Sequence, residues 1–332
     1  MRVIVDAMGG DHAPEEIIKG CIDSQRDLGI HIILVGREDV IERELTRNGY
    51  TGNDISIIHA SQVIEVTDQP VSAIKAKKDA SMVVGLNLLR KGEGDAFISA
   101  GNTGALMAGA LLRVGRIKGI DRPALAPTIP TEKGSLLLLD AGANTECRPN
   151  NLVQFGIMGS IYMDKVLGVP NPRIGLVNVG TEENKGNELV KKAYTGLSKT
   201  SINFVGNIEA RDIPKGIVDV VVCDGFVGNI ILKFMEGVAL TLFDMLKTEL
   251  SSGFKSKIGA LLCKKAFKSF KRRMDYTEYG GAPLLGINGP VIKAHGSSNA
   301  KAIQNAINLA HTCDKNGVLD LIKQEVVKLG VE

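Results

Sequence analysis

Eight short apolar runs punctuate the chain: RVIVDA, HIILVG, DISIIHA, DAFISA, SLLLLDAG, RIGLVNVG, INFVGN and VDVVVCDG. Their apolar residues occupy consecutive positions, not alternating ones, as strands covered on both faces do. The stretches between them predict helices over Glu15 to Leu28, Ala80 to Arg90, Gly104 to Arg116, Asn151 to Leu167, Asn187 to Lys199, Asn229 to Leu250 and Asn299 to Leu329, the last broken near Asn316 and Gly317. Strands that alternate with helices imply parallel crossovers, so the predicted class is a doubly wound α/β fold. No Pro/Ser-rich linker or low-complexity tract divides the chain. It reads as one α/β domain over residues 1–332, with 229–275 as a helical protrusion inserted in it.

The ends of the runs are alike. DAMGGDHAP (Asp6 to Pro14), SAGNTGA (Ser99 to Ala105), DAGAN (Asp140 to Asn144), NVGTEENKGNE (Asn178 to Glu188), GNIEARD (Gly206 to Asp212) and DGFVGN (Asp224 to Asn229) all pair glycine with Asn, Asp or Thr. In a parallel sheet, ligands gather beyond the carboxyl ends of the strands, so six such loops point to a site where one would be an ordinary turn. In ISAGNTGALM, Asn102 or Thr103 caps a helix while Gly101 and Gly104 let the backbone turn and approach a ligand. The free N–H groups there favour an anion, phosphate first. G-x-x-x-x-G-K-[ST], a dinucleotide fingerprint and G-x-S-x-G are all missing. NAD, ATP and serine-hydrolase chemistry are thereby demoted. Of the five histidines, His12 and His295 lie in glycine-rich loops and are the two to place in a site; His31 and His59 read as structural.

Composition narrows the classes further. With no Trp and 4% aromatic residues the chain lacks base-stacking platforms, and no nucleic-acid partner is expected. Five dispersed cysteines without a C-x-x-C pair suggest neither disulfides nor a zinc site, and fit a reducing cytoplasm. The N-terminus reads as a first strand and not a signal peptide, and no stretch approaches eighteen uninterrupted apolar residues, so any membrane contact is expected to be peripheral. Net charge is +3, yet residues 251–274 carry eight basic side chains and no acidic one, so the rest of the chain is net negative. On a helical wheel Ile258, Leu262, Phe267 and Phe270 fall on the half opposite most of the lysines, a pattern that suits an anionic membrane surface, an acidic protein or packing on the preceding helix. That helix, Asn229 to Leu250, is apolar nearly all round and must be buried against something, a second subunit being one candidate.

The strings DAMGGDHAP, SAGNTGAL, GRIKGIDRPALAP, NVGTEENKGNE, GNIEARD, DGFVGN and KAHGSS, in this order over nearly the whole chain, resemble the PlsX family of bacterial acyl-ACP:phosphate acyltransferases. The resemblance implies transfer of a fatty acyl group from acyl carrier protein to inorganic phosphate. The acyl phosphate formed would feed a downstream membrane glycerol-phosphate acyltransferase in phospholipid synthesis. It also implies a homodimer of three-layer α/β/α fold similar to isopropylmalate dehydrogenase and phosphotransacetylase. Phosphate is already an anionic nucleophile and a thiol leaves readily, so the chemistry requires no cofactor, metal or activated side chain. Positioning and oxyanion stabilisation remain for the protein to supply. The expected phosphate site is Asn102, Thr103 and Gly104, with Lys185 or Arg211 as counter-charge. His12 and His295 are the expected proton or oxyanion donors, with Asp11 orienting His12. Gly9, Gly10, Asn144, Asn187 and Asn229 complete the expected substrate pocket, and Ile258, Leu262, Phe267 and Phe270 the expected contact with the inner face of the plasma membrane. The alternatives are a phosphotransacetylase-like enzyme or NAD-dependent dehydrogenase on the same fold, and a non-catalytic lipid-surface binding protein.

Overall fold

All eight apolar runs are strands, but they divide between two sheets. In the computed structural model, which describes residues 1–274 and 280–328, the chain begins with β1 (Arg2–Asp6), α1 (Glu15–Leu28), β2 (His31–Gly36), α2 (Glu38–Arg47), β3 (Ile55–His59), α3 (Pro70–Ala76), α4 (Ser81–Lys91), β4 (Ala96–Ser99) and α5 (Thr103–Gly109). Helix α5 runs on as a π turn over Ala110–Val114. There follow β5 (Ala124–Leu125), β6 (Thr128–Thr131), β7 (Gly134–Leu139), α6 (Pro149–Lys165), β8 (Ile174–Val177), α7 (Glu188–Leu197), β9 (Phe204–Ile208) and β10 (Val220–Val222). The last elements are α8 (Gly225–Ser251), α9 (Phe254–Leu262), α10 (Lys264–Met274), β11 (Ala282–Leu285), β12 (Val291–Lys293), α11 (Ala300–Lys315) and α12 (Val318–Lys328). Leu329, where the final helix was expected to end, and residue 275 of the expected protrusion lie outside the described residues.

The larger sheet has the order β3-β2-β1-β4-β12-β11-β5 and the smaller β6-β7-β10-β8-β9. The eight runs pair only in parallel with one another; the antiparallel pairs, β5 with β11, β11 with β12 and β6 with β7, involve short strands that the apolar pattern does not reveal. One apolar cluster contains Val3 and Ile98 of the larger sheet, Leu137 and Val220 of the smaller, and Phe155 and Met158 of α6, so the two sheets share a core. The chain leaves β1 outward through β2 and β3, then returns to β4 beside β1. The loops after β1 and β4 therefore flank a topological switch point, where ligands of open sheets bind.

The break predicted near Asn316 and Gly317 separates α11 from α12, and Gly317 takes φ +63, a left-handed value that suits glycine. The basic stretch departs from expectation. It is two helices joined at Cys263, so the residues placed on one wheel are distributed over α9 and α10. Phe270 packs against Phe243 of α8, ring centroids 5.6 Å apart, while Leu262 is 81% exposed and Ile258 and Phe254 are also exposed. Helix α8 itself is long and apolar enough to cross a membrane, yet almost none of its most apolar window is buried.

Candidate active site

The loop after β1 is shaped by a buried carboxylate. Asp6 accepts hydrogen bonds from the Ser81 and Ser99 hydroxyls at 2.6 and 2.7 Å and from Met8 N–H at 3.2 Å. Burial pushes its carboxyl above the ordinary value, against the lowering effect of those bonds. Ser99 in turn accepts Gly101 N–H, tying the ISAGN turn to the same anchor. A Cβ on Gly9 would stand 2.5 Å from Asp6 Oδ2 and 2.9 Å from Gly101 N, so only glycine permits this approach. The neighbouring Gly10 has φ +116 and comes close to Gly296 O, and Asp11 N–H donates to that same carbonyl at 2.8 Å. The N-terminal loop thus abuts the KAHGSS loop.

The second sheet is shaped by another buried carboxylate, Asp140. Its Oδ1 accepts Leu125 and Ala143 N–H at 2.9 and 3.0 Å, and its Oδ2 accepts Asn144 N–H and the Asn144 amide. The Asn144 amide also donates to Pro123 O at 2.7 Å, so this side chain is spent inside the loop. The Asp224 side chain caps α8, and Gly225 and Gly228 lie so close to Asn144 and Asp140 that any Cβ would collide. The two sets of strand ends meet across a cleft of about 480 Å³. Thr103, Gly104 and His295 line it from the larger sheet, and Gly142, Asn229 and Lys233 from the smaller sheet and α8.

Lys293, also in the cleft, is a residue that the sequence did not single out. It is the last residue of β12 and pairs in register with Ser99. Only 9% exposed, it donates from Nζ to Ala100 O at 3.2 Å and to Ala294 O. Burial lowers its pKa to about 8, partly opposed by Asp6 and Asp11. The signal available in the sequence was a lysine inside the apolar run PVIKAHG. His295 sits two residues on. Ser297 approaches its Nδ1 with both hydroxyl, at 2.8 Å, and N–H, at 3.2 Å. Nδ1 is therefore the acceptor and Nε2 carries the proton. Burial first and the Lys293 charge second hold His295 below its ordinary pKa, so it is the neutral tautomer at pH 7. Lys233 and Glu236 form a 2.7 Å ion pair on the facing wall.

The other expected residues are placed differently. Asn102 caps α5 by accepting Ala105 N–H and donates to Glu65 O and Val66 O, so its side chain is fully engaged in the turn. Asp11 and His12 are exposed at the loop tip, and no hydrogen bond joins them. Asn187 caps α7 and lines a separate cleft of about 560 Å³ with Asn178, Cys223 and Asp224, on the other side of the start of α8. Lys185 precedes it in an exposed loop beyond β8. Arg211 is 79% exposed and pairs with Glu209 at 2.5 Å, not with the adjacent Asp212, which pairs with Lys215. Neither Lys185 nor Arg211 lines the first cleft. Cys147 and Cys223 lie near the start of α8, and burial pushes the Cys147 thiol up to about 11 and the Cys223 thiol well above its ordinary value. Neither is a thiolate nucleophile at neutral pH.

Residues 1–321 match the family model described as "Fatty acid synthesis protein". The chain is 57% identical to a phosphate acyltransferase of Thermoanaerobacter pseudethanolicus over 333 residues, covering 100% of this chain and 99% of that protein. It is 52% identical to a phosphate acyltransferase of Clostridium acetobutylicum over 330 residues, covering 99% and 100%. Among solved structures, a phosphotransacetylase from Streptococcus pyogenes superposes with TM-score 0.68 at 15% identity, over 95% of this chain and 94% of the other. A branched-chain phosphotransacylase from Enterococcus faecalis V583 does so with TM-score 0.58 at 16% identity, over 95% and 99%. At such identities these two likenesses speak for the fold alone.

Proposed function

The chain belongs to the fatty acid synthesis protein family and is a phosphate acyltransferase, and on that premise we propose that its acyl donor is the thioester of acyl carrier protein and that the reaction occurs in the cleft between the sheets. The observation that carries this reading is the juxtaposition of an electropositive end, Lys293 beside the Thr103–Gly104 turn, with apolar walls from Met107, Leu125, Phe226 and Leu232. Hydrogen phosphate sits at the turn, where the first N–H groups of α5 and the Lys293 ammonium meet its charge. A phosphate oxygen attacks the thioester carbonyl; the carbon–sulfur bond breaks, the carbon–oxygen bond to phosphate forms, and the phosphate proton leaves on the thiol. The His295 Nε2–H donates toward the carbonyl oxygen as it becomes an oxyanion, and Asn229 and the exposed His12 complete the polar rim. Asp11, Gly9 and Gly10 hold the loop against the KAHGSS segment. Asn187 lines the neighbouring cleft and, with the exposed loop charge of Lys185 beside it, steers the anionic substrate rather than touching the reacting atoms, while the charge of Arg211 is met by Glu209.

The exposed apolar side chains further along α8, Phe234, Leu240 and Leu242, support a homodimer in which a second copy covers them. The exposed Phe254, Ile258, Leu261 and Leu262 on α9, beside the lysines of α10, support peripheral contact of residues 251–274 with an anionic membrane. That contact would leave the product near a downstream membrane glycerol-phosphate acyltransferase.

The deciding experiment incubates the protein with acyl carrier protein thioester and phosphate and traps acyl phosphate with hydroxylamine. A phosphate-dependent hydroxamate is expected, and its absence overturns the reading of donor and acceptor.

A further inference from the structure

Beside the first cleft lies another of about 740 Å³, predominantly polar, lined by Leu111, Arg116, Asp121, Arg122, Cys147 and Arg148 among others. Three segments run from one cleft directly into the other. Met107 faces the first and Leu111 the second, on α5 and its π turn; Leu125 faces the first and Arg122 the second, on the approach to β5; Thr145 faces the first and Glu146 the second. Four helical residues advance about 6 Å and three extended ones about 10 Å, so both clefts are within the span of one flexible arm. The helical wall between them is the junction of α5 with the π turn Ala110–Val114, a wide turn of the kind found at functional sites.

The charges of this second cleft are uncommitted. The Arg122 and Arg148 guanidiniums make no ion pair or hydrogen bond among the described residues, and Arg116 donates only to the backbone carbonyl of Asp121. Of the two carboxylates present, Asp121 already accepts from the Asn150 and Asn151 amides at 3.1 and 3.5 Å. Three guanidiniums around a polar hollow suit a ligand with paired anionic oxygens, because the guanidinium fork matches phosphate bidentately where an ammonium does not. The first cleft has the complementary inventory, lysines, a neutral histidine and apolar walls, with no arginine among the described residues.

We propose that the arginine-lined cleft seats the phosphodiester through which the acyl-bearing arm is attached to its carrier, with Arg122 and Arg148 as anchors, so that the arm passes the junction of α5 with its π turn and presents its thioester to Lys293 and His295. The proposal rests on the reading that the donor is a carrier-bound thioester. It assigns the two phosphoryl groups of the reaction to different clefts, the reactant to the lysine and the diester to the arginines.

Rates with acyl-pantetheine and acyl-4′-phosphopantetheine, each at saturating inorganic phosphate, test it in the unaltered protein and in the doubly substituted Arg122→Ala, Arg148→Ala protein. Both arginines are exposed, so the variant should melt with the unaltered protein. The unaltered protein should prefer the phosphorylated arm by about 10- to 100-fold in kcat/KM, and the variant should lose that preference while its KM for inorganic phosphate stays the same. With acyl carrier protein itself the variant's KM should rise at least about 10-fold. Retention of the preference, equal use of the two arms by the unaltered protein, or an increase confined to the KM for inorganic phosphate each overturns the assignment. An unchanged KM for the carrier does so as well. Failure of the underlying donor reading is seen separately, as no hydroxamate from the unaltered protein with acyl carrier protein.

Discussion

Replacing Lys293 with Met keeps the length of the buried stem and removes one charge, and so isolates what that charge does. The ammonium is nearly enclosed and points between Ala100 O and Ala294 O at the edge of the cleft. A charge-assisted hydrogen bond to phosphate in such a setting is worth about 1.5–3 kcal/mol, so kcat/KM for phosphate should fall about 10- to 150-fold. Folding should change by less than about 2 kcal/mol, because the two carbonyls lose a donor while a desolvated charge is also removed. Acyl hydroxamate formation against phosphate concentration at pH 7, with a thermal melt alongside, measures both. The same charge sets a pH signature. With its pKa lowered to about 8, Lys293 is an ammonium below that pH and a neutral amine above it, so phosphate kcat/KM should decline as pH rises through about 8. Bound phosphate favours the ammonium and moves the decline in kcat to higher pH. Lys293→Met should show no such limb. A stable variant within two-fold of the unaltered protein, or one that keeps the limb, refutes the role given to this lysine.

Asp140→Asn keeps one acceptor oxygen and turns an amide donor either toward the N–H groups of Leu125 and Ala143 or toward the N–H and amide of Asn144; it should cost about 3 kcal/mol, read as a lowered thermal midpoint, and an unchanged midpoint would mean that the loop is held by other contacts. Gly228→Ala sets a methyl 1.9 Å from Asp140 O and should destabilise by about 3 kcal/mol or more, with urea unfolding as the measurement; the overpacking account fails if the midpoint holds. Phe234→Glu, at an α8 position 70% exposed, should shift the mass in multi-angle light scattering from two copies toward one, and an unchanged mass would remove α8 from the interface. Leu261→Glu with Leu262→Glu should abolish sedimentation with anionic vesicles, and unchanged sedimentation would mean that α9 does not meet the lipid.

The alternation of buried strands and helices was legible in the sequence because burial on both faces leaves consecutive apolar residues, and all eight runs are strands. The glycine-rich strand ends were legible for a similar reason, since close backbone approach excludes a Cβ at Gly9, Gly225 and Gly228 whatever the partner is. The division into two sheets was not, because it depends on β5, β11 and β12, strands of two to four residues that carry no periodicity of their own. Nor was the joint between α9 and α10, where Cys263 offers no helix breaker to read. Which loop residues act together was decided by the tertiary structure. Asn102, Thr103, Lys185, Asn187, Asn229 and His295 all stand at strand ends and look equivalent along the chain. The meeting of the two sheets' strand ends brings Thr103, Asn229 and His295 into one cleft, sets Asn187 in another, and brings in Lys293 from a strand paired with that of Ser99. Local sequence specifies the backbone shape of each loop through sterics and capping; only long-range strand pairing sets the distances between loops, and the chemistry depends on those distances.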